Sequence, residues 1–255
     1  MYRRQHRGGA GVTGAGVRDD EDFIEHMFMA STPDCILFFT NQGKVFWQKA
    51  YEIPQASRQA KGKAIVNLLS LGASEKVSSF LQVKEFDDKR FVVMVTAQGV
   101  IKKTNLIEYS RPRSSGINAI TLRDKDELVA CKITSGKDEI FLATRDGKAI
   151  RFKETDVRDM GRTASGVRGI NLAKHDEVIA VDNVTPKATA LSVTENGYGK
   201  KTLFTQYRIQ SRGGKGIINV KVSGKNGKVV NVVTVVEEDE VILVTTAGMV
   251  VRCPV

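Results

Sequence analysis

One short pattern recurs along the chain at an interval that only repeat architectures show. Five times a β-branched or aromatic run ends in Thr-x-x-Gly and resumes as a second run. These are ILFFTNQGKVFW from Ile36, VVMVTAQGVIKK from Val92, IFLATRDGKAIRF from Ile140, ALSVTENGYGKK from Ala190 and VILVTTAGMVVR from Val241. The glycines, Gly43, Gly99, Gly147, Gly197 and Gly248, are 56, 48, 50 and 51 residues apart. Each pair of runs reads as a hairpin. Asp146-Gly147 and Asn196-Gly197 predict tight primed turns, because these residue types tolerate positive φ. A second glycine follows in phase: Gly62, Gly116, Gly166 and Gly216 close basic, polar loops and head the runs AIVNLL, INAITL, VRGINL and IINVKV. One more strand-like stretch, such as 76–83 or 177–181, precedes the next hairpin. Each period therefore predicts four short antiparallel strands and no helix longer than a turn or two, the pattern of a propeller-like blade. Unrelated hairpins in a β-sandwich would carry no phased second glycine.

The ends match half-periods. Residues 1–17 correspond to a second half, with Gly11 in the phase of Gly62, and residues 241–255 to a first half. The expectation is either a piece of a longer ring or two halves that meet in one composite blade.

The 255 residues are 41% hydrophobic and 27% charged, which suits a chain that buries a core and argues against disorder. Cys35, Cys131 and Cys253 are far apart with no C-x-x-C pair, so neither a disulfide scaffold nor a zinc site is expected. The longest apolar stretch, near 229–236, is interrupted by Asn231 and Thr234, too short and too polar for a membrane span. The first twenty residues are rich in Arg and Gly without an apolar segment of the secretory kind, and a reducing cytoplasm is the expected home.

Lys+Arg 39 against Asp+Glu 29 gives a net charge of +10, which favours a polyanionic partner, nucleic acid ahead of an acidic membrane. The charge is not spread evenly. The four windows from hairpin Thr to two residues past the second glycine, 40–64, 96–118, 144–168 and 194–218, together carry +14, and the rest of the chain carries −4. Acids gather in the other connectors, as in Asp19-Asp20-Glu21-Asp22 and Glu237-Glu238-Asp239-Glu240. Repetition of one structural position around a disc predicts a basic rim, suited to a rod of phosphates held by charge and not by base reading. The candidate rim residues are Arg3 and Arg4, then Lys44, Lys49, Arg58, Lys61 and Lys63, then Lys102, Lys103, Arg111 and Arg113. The later repeats add Lys148, Arg151, Lys153, Arg158, Arg162 and Arg168, and Lys200, Lys201, Arg208, Arg212 and Lys215. A protein-binding propeller would give no reason for this polarisation by position.

Catalytic patterns are missing. Gly161 to Arg168 has Val167 and Arg168 where a phosphate loop needs Lys and Ser or Thr, and Gly199-Lys200-Lys201 lacks the leading glycine at Thr194. His6, His26 and His175 have no metal-ligand spacing, and none of the five tyrosines lies in a recognisable strand-cleavage context. Phe46 and Trp47, on a hairpin strand, read as packing residues.

Two loops are rich in glycine: QHRGGAG, Gln5 to Gly11, and QSRGGKG, Gln210 to Gly216. Paired glycines let a backbone approach a phosphate closely, with Arg7 or Arg212 beside it to make bidentate contacts. Here the chain resembles the C-terminal domain of DNA gyrase A, whose marker is a box of the form QRRGGKG in the first blade. The likeness runs through essentially the whole length, including YEIPQASRQAKGKAIVNLL from Tyr51, FKETDVRDMGRTASGVRGI from Phe152 and TENGYGKKT from Thr194. By position the box is Gln5, His6, Arg7, Gly8, Gly9, Ala10 and Gly11, with His6 and Ala10 each replacing a basic residue. The later loop departs only at Ser211. The resemblance implies an all-β, six-bladed β-pinwheel, a single domain over 1–255 with its first and last blades incomplete and strands exchanged between neighbours. It also implies wrapping of double-stranded DNA with positive handedness for ATP-dependent negative supercoiling, in a bacterial holoenzyme of two gyrase A and two gyrase B polypeptides. No cofactor is expected in this chain, with ATP and magnesium elsewhere in the assembly. The corresponding domain of topoisomerase IV, a family that has lost the box, is the alternative.

Overall fold

The computed structural model describes residues 4–6, 9–13, 28, 30–56, 62–245 and 249–255. Four of the five hairpins begin with a local device that explains the recurring threonine, the exception being Thr194, whose hydroxyl donates to the carbonyl of Tyr198. In those four the threonine hydroxyl accepts the N–H of the residue after the turn glycine, from Lys44 to Thr40 at 3.2 Å and from Val100, Lys148 and Met249 to Thr96, Thr144 and Thr245 at 3.1 Å. The N–H of Gly43, Gly99, Gly147 and Gly197 returns to the carbonyl of its hairpin threonine at 2.9 to 3.1 Å. Only the glycine is left-handed, with φ between +76° and +82°, while Asp146 and Asn196 keep negative φ. The primed two-residue turns expected at Asp146-Gly147 and Asn196-Gly197 are therefore three-residue loops closed by a left-handed glycine.

Three sheets have four strands. The first runs β4 (Val77–Val83), β2 (Cys35–Thr40), β3 (Lys44–Lys49), β7 (Ile117–Asn118). The second runs β8 (Leu128–Thr134), β5 (Phe91–Thr96), β6 (Val100–Asn105), β11 (Val167–Arg168). The third runs β12 (Val178–Val184), β9 (Glu139–Thr144), β10 (Lys148–Lys153), β15 (Ile217–Ile218). In each, the last and shortest strand comes from the following repeat. A fourth sheet, β16 (Val229–Val235), β13 (Thr189–Thr194), β14 (Gly199–Leu203), has three strands among the described residues. The two ends meet in the fifth, where β1 (Val12–Thr13) pairs with β18 (Met249–Pro254) beside β17 (Glu240–Val244), with Val12 opposite Val250. The two half-periods therefore pair in one sheet. Gly248 lies outside the described residues.

Alternation along the central strands splits their side chains between two cores. Leu37 and Phe39 of β2 pack with Val92, Met94, Leu106 and Tyr109 of the next repeat, whereas Ile36 and Phe38 pack with Phe46 and Leu69. All six residues of β2 are buried, which is why the strand reads as a continuous apolar run. The helical segments are 3-10 turns of three or four residues. One of them corrects the sequence reading: AIVNLL is not a strand, and 65–67 form such a turn. The two-residue strands exist only where a neighbouring hairpin receives them, and no described hairpin edge lies against this segment.

Both phased glycines sit at that exchange. A Cβ at Gly147 would lie 2.1 Å from the carbonyl oxygen of Val220, and one at Gly216 would lie 2.5 Å from that of Ala149. Gly197 has the same turn conformation but open space around it. Gly197→Ala is thus expected to cost only the left-handed strain, about 1 kcal/mol, and Gly147→Ala that strain plus a backbone collision, about 3 kcal/mol or more. Urea denaturation of the two variants checks this; equal losses would contradict the role given to the exchange contact.

Candidate nucleic-acid interface

The loops between the edge strands and the second glycines are held at both ends. The three that end at Gly116, Gly166 and Gly216 leave their hairpins through a 3-10 turn and return as the short strand on the preceding hairpin, so their positions are fixed by two repeats. On these loops Arg111, Arg113, Arg158, Arg208 and Lys215 are exposed, as are Lys153, Arg168 and Lys201 on the flanking strands. None of these eight makes an ion pair with the described residues. Arg158 and Arg208 each stand eight residues before a second glycine, so the same point of successive loops carries the same charge. Arg4, Lys63 and Lys200 are also exposed, with Arg4 3.2 Å from Glu240. Lys44, Lys49, Lys148 and Arg162 are half-buried, Lys44 within 3.9 Å of Glu75 and Arg162 within 3.8 Å of Glu108. Arg3, Arg7, Gly8, Arg58 and Lys61 lie outside the described residues.

Three expected rim cations are structural. Lys102 is fully buried, and its Nζ donates to the carbonyl oxygens of Ala119 in its own repeat and Arg162 in the next. Burial, aided by the Arg162 charge, pushes its pKa down from 10.5 to about 7. A neutral amine has two hydrogens, enough for both carbonyls. Lys103 is buried too, paired with Asp159 at 2.7 Å and lying 4.8 Å over the Phe91 ring. Arg151 is only 16% exposed in its side chain: it pairs with Glu139 across the hairpin and donates Nη1 to the carbonyls of Phe204 and Tyr207. Alignment on the hairpin glycine could have found Lys102, since Phe46 and Ile150 hold the same third position and are buried.

The glycine-rich loops are also anchored. Gln5 N–H donates to the carbonyl of Arg252 of β18 at 2.8 Å, and its side-chain oxygen accepts from Gly11 N at 3.1 Å, which folds the box back on itself at the junction of the chain ends. His6 and Ala10 are exposed, and Gly9 N–H donates to His6 O at 3.1 Å. Arg212 was expected beside a phosphate. Its Nε and Nη1 instead reach the carbonyls of Asp156 and Arg168 in the preceding repeat, at 2.8 and 3.1 Å. Sequence reasoning missed the hairpin tips, where Arg145 pairs with Glu177 at 2.8 Å and Glu195 at 3.4 Å, and Lys228 with Asp146 at 3.1 Å. Those charges are internally neutralised. Trp47 stacks on Phe86 at 5.0 Å and Phe46 is buried, both as packing residues.

The family model described as DNA gyrase C-terminal domain, beta-propeller, matches residues 1–31, 36–84, 90–135, 138–185, 189–235 and 239–255. The chain belongs to that family. The four inner segments each contain one hairpin and its closing strand, and the two outer ones are the ends that meet at β1 and β18. DNA gyrase A of Salmonella typhimurium is 47% identical over 98% of the chain, and that of Escherichia coli 43% identical over 98%. The chain spans 28% and 29% of those relatives' lengths. Among solved structures, a DNA gyrase A C-terminal domain superposes with a TM-score of 0.89 at 28% identity, over 99% of this chain and 83% of the other. The C-terminal domain of a DNA topoisomerase IV gives 0.76 at 27% identity, over 87% and 69%. The gyrase reading is thus favoured over the topoisomerase IV alternative.

In this gyrase-type domain the buried amine has a signature in pH. The folded state holds fewer protons than the unfolded chain between about 7 and 10.5, so stability rises with pH across that window. Burial also raises Cys131 and Tyr109, whose ionisation when unfolded works in the opposite sense above about pH 9. Between pH 7 and 8.5 the unfolding free energy should therefore climb, by up to about 1.4 kcal/mol per unit. The slope should be absent in Lys102→Met, read by urea titration at each pH; a parent protein with no slope there would contradict the placement of the amine.

Proposed function

We propose that the chain is a noncatalytic DNA-binding module of a bacterial gyrase, which wraps a duplex around its basic loops with positive handedness. The observation that carries this is the presence of exposed cations without ionic partners on three successive loops and their flanking strands, with Arg158 and Arg208 at the same loop position, in a chain of this family. The residues proposed to meet phosphate are Arg111, Arg113, Lys153, Arg158, Arg168, Lys201, Arg208 and Lys215, with Lys102, Lys103 and Arg151 assigned to holding the loops. Gln5 to Gly11 fastens the wrap where the chain ends meet. In the holoenzyme, two gyrase A and two gyrase B polypeptides in the bacterial cytoplasm, wrapping presents a neighbouring segment for strand passage. ATP hydrolysis with magnesium and cleavage belong to the rest of the assembly.

Phosphate contacts displace condensed counterions, each contributing about −0.9 to the slope of log K against log salt. Affinity for random-sequence duplex is expected to fall steeply between about 50 and 200 mM salt, as on the order of six contacts require. Arg158→Glu with Arg208→Glu should weaken all sequences alike and make the slope shallower by roughly 2, whereas Lys102→Met should leave it unchanged. A flat salt response, or strong preference for one sequence, would overturn the reading.

Wrapping is separable from binding. Alanines at Arg7, Gly8 and Gly9 should leave most short-duplex affinity intact and abolish the positive linking-number shift on a nicked and religated plasmid. If the shift survives there and disappears only on changing Arg212, Gly213 and Gly214, the fastener is the later loop.

A further inference from the structure

The amine of Lys102 is bonded to the cationic loops from the inside, at a place where the fold does not require an amine. Cys131 of β8, Met94 of β5 and Lys102 of β6 lie opposite one another in register. Buried Phe46 and Ile150 hold the same place in the hairpins on either side, so an apolar side chain suffices there for packing. Lys102 is instead an enclosed donor. Its two acceptors are Arg162 O on loop 154–166 and Ala119 O, just after the glycine that closes loop 106–116. No carboxylate pairs with it among the described residues. The charged and titratable groups on the elements packed around it are Arg162, Glu108 and the buried Tyr109 of the 3-10 turn 106–109, and the buried Cys131. Glu108 lies within 3.8 Å of Arg162, and Lys103, the next residue of β6, is held by Asp159 and Phe91.

This enclosure fits a neutral amine better than a charged one. Two hydrogens meet two carbonyls, whereas the third hydrogen of an ammonium has no acceptor among the described residues. Burial and the Arg162 charge both oppose protonation, which holds the pKa at about 7. Arg111, Arg113 and Arg158, exposed on the same two loops, are of the same sign. Phosphates resting on those loops replace that positive field by a negative one. In a medium of effective dielectric constant about 20, one charge about 12 Å away shifts a protonation equilibrium about tenfold.

We propose that duplex binding drives a proton onto the Lys102 amine, so that the loops take up DNA and a proton together; this rests on the DNA-binding reading given above. The ammonium so formed makes charge-assisted hydrogen bonds to Arg162 O and Ala119 O, which are stronger than those of the neutral amine. The two loops are thereby tied more tightly while DNA is bound. Linkage fixes the sign. A group that is protonated more readily in the complex makes binding tightest where protons are plentiful. The contribution is fully present below about pH 7 and is lost as the pH rises through about 7 to 8. Its total size is the roughly tenfold factor by which the phosphates shift the equilibrium.

Calorimetric titration of the full chain with a short random-sequence duplex counts the protons taken up, when run at about pH 7.5 and fixed ionic strength in two buffers of different ionisation enthalpy. The parent chain should take up about half a proton more than Lys102→Met, whose side chain is apolar like Phe46 and Ile150. From about pH 6.5 to 9 the affinity of the parent should fall by up to about tenfold relative to that variant, whose own pH response reports every other titrating group, His6 and His175 included. A second measurement needs no variant to fold: the carbon-13 signal of the Lys102 ε-methylene should titrate at higher pH with duplex bound than without. A parent that binds duplex yet takes up no more protons than Lys102→Met, or a Lys102 signal that titrates alike in both states, would overturn the proposal and leave the DNA-binding reading standing. A parent that does not bind duplex would overturn that reading and the proposal with it.

Discussion

Everything in this molecule depends on a backbone-to-backbone contact between successive repeats. A hairpin glycine offers its carbonyl to two N–H groups of the next repeat, and the second glycine of that repeat approaches the hairpin strand at a distance that admits no Cβ. Four-stranded sheets are completed only through this exchange, so no repeat forms its sheet alone. Isolated hairpins are marginal in water, and two-residue strands even more so. Chain connectivity is what keeps the donor at high effective concentration beside its acceptor.

The same contact decides which cations are free. A loop crossing from one blade to the next leaves carbonyls facing inward, and burying them without a partner costs about 1–3 kcal/mol each. Lys102, Arg151 and Arg212 supply the donors. Each of them reaches at least one neutral oxygen of a neighbouring repeat, and two of the three side chains are largely enclosed. The net charge of the windows therefore overstates the charge left exposed, which resides in residues such as Arg158, Arg208 and Lys215.

The repeat was legible because its requirements are local. A threonine hydroxyl that accepts a bond four residues on and a glycine that must be left-handed leave a fixed spacing in the sequence, and the strands on either side alternate or run apolar as their burial demands. The turn type was not legible from Asp-Gly or Asn-Gly, since both dipeptides also serve a loop in which only the glycine has positive φ. AIVNLL misled for a different reason: its apolar residues fit a strand, but strand formation there requires an edge supplied by another repeat. Lys102 misled because charge was read without the alignment that places it with Phe46 and Ile150.

If the loops wrap a duplex as proposed, the cost of bending it explains why the exchange matters to a surface it never touches. Smoothly bending 20–30 base pairs by 40–90° costs on the order of 1–6 kcal/mol, while one exposed ion pair contributes about 0–1 kcal/mol. No single loop can hold the curve. Contributions from successive loops add only if their spacing matches the curved phosphate path before DNA arrives, because ordering them on binding would consume the gain. Lys102 and Arg212 tie neighbouring loops together, and the glycine contacts tie each loop to the preceding hairpin. On the proposed reading, a buried glycine such as Gly147 is as much a determinant of wrapping as an arginine on the rim.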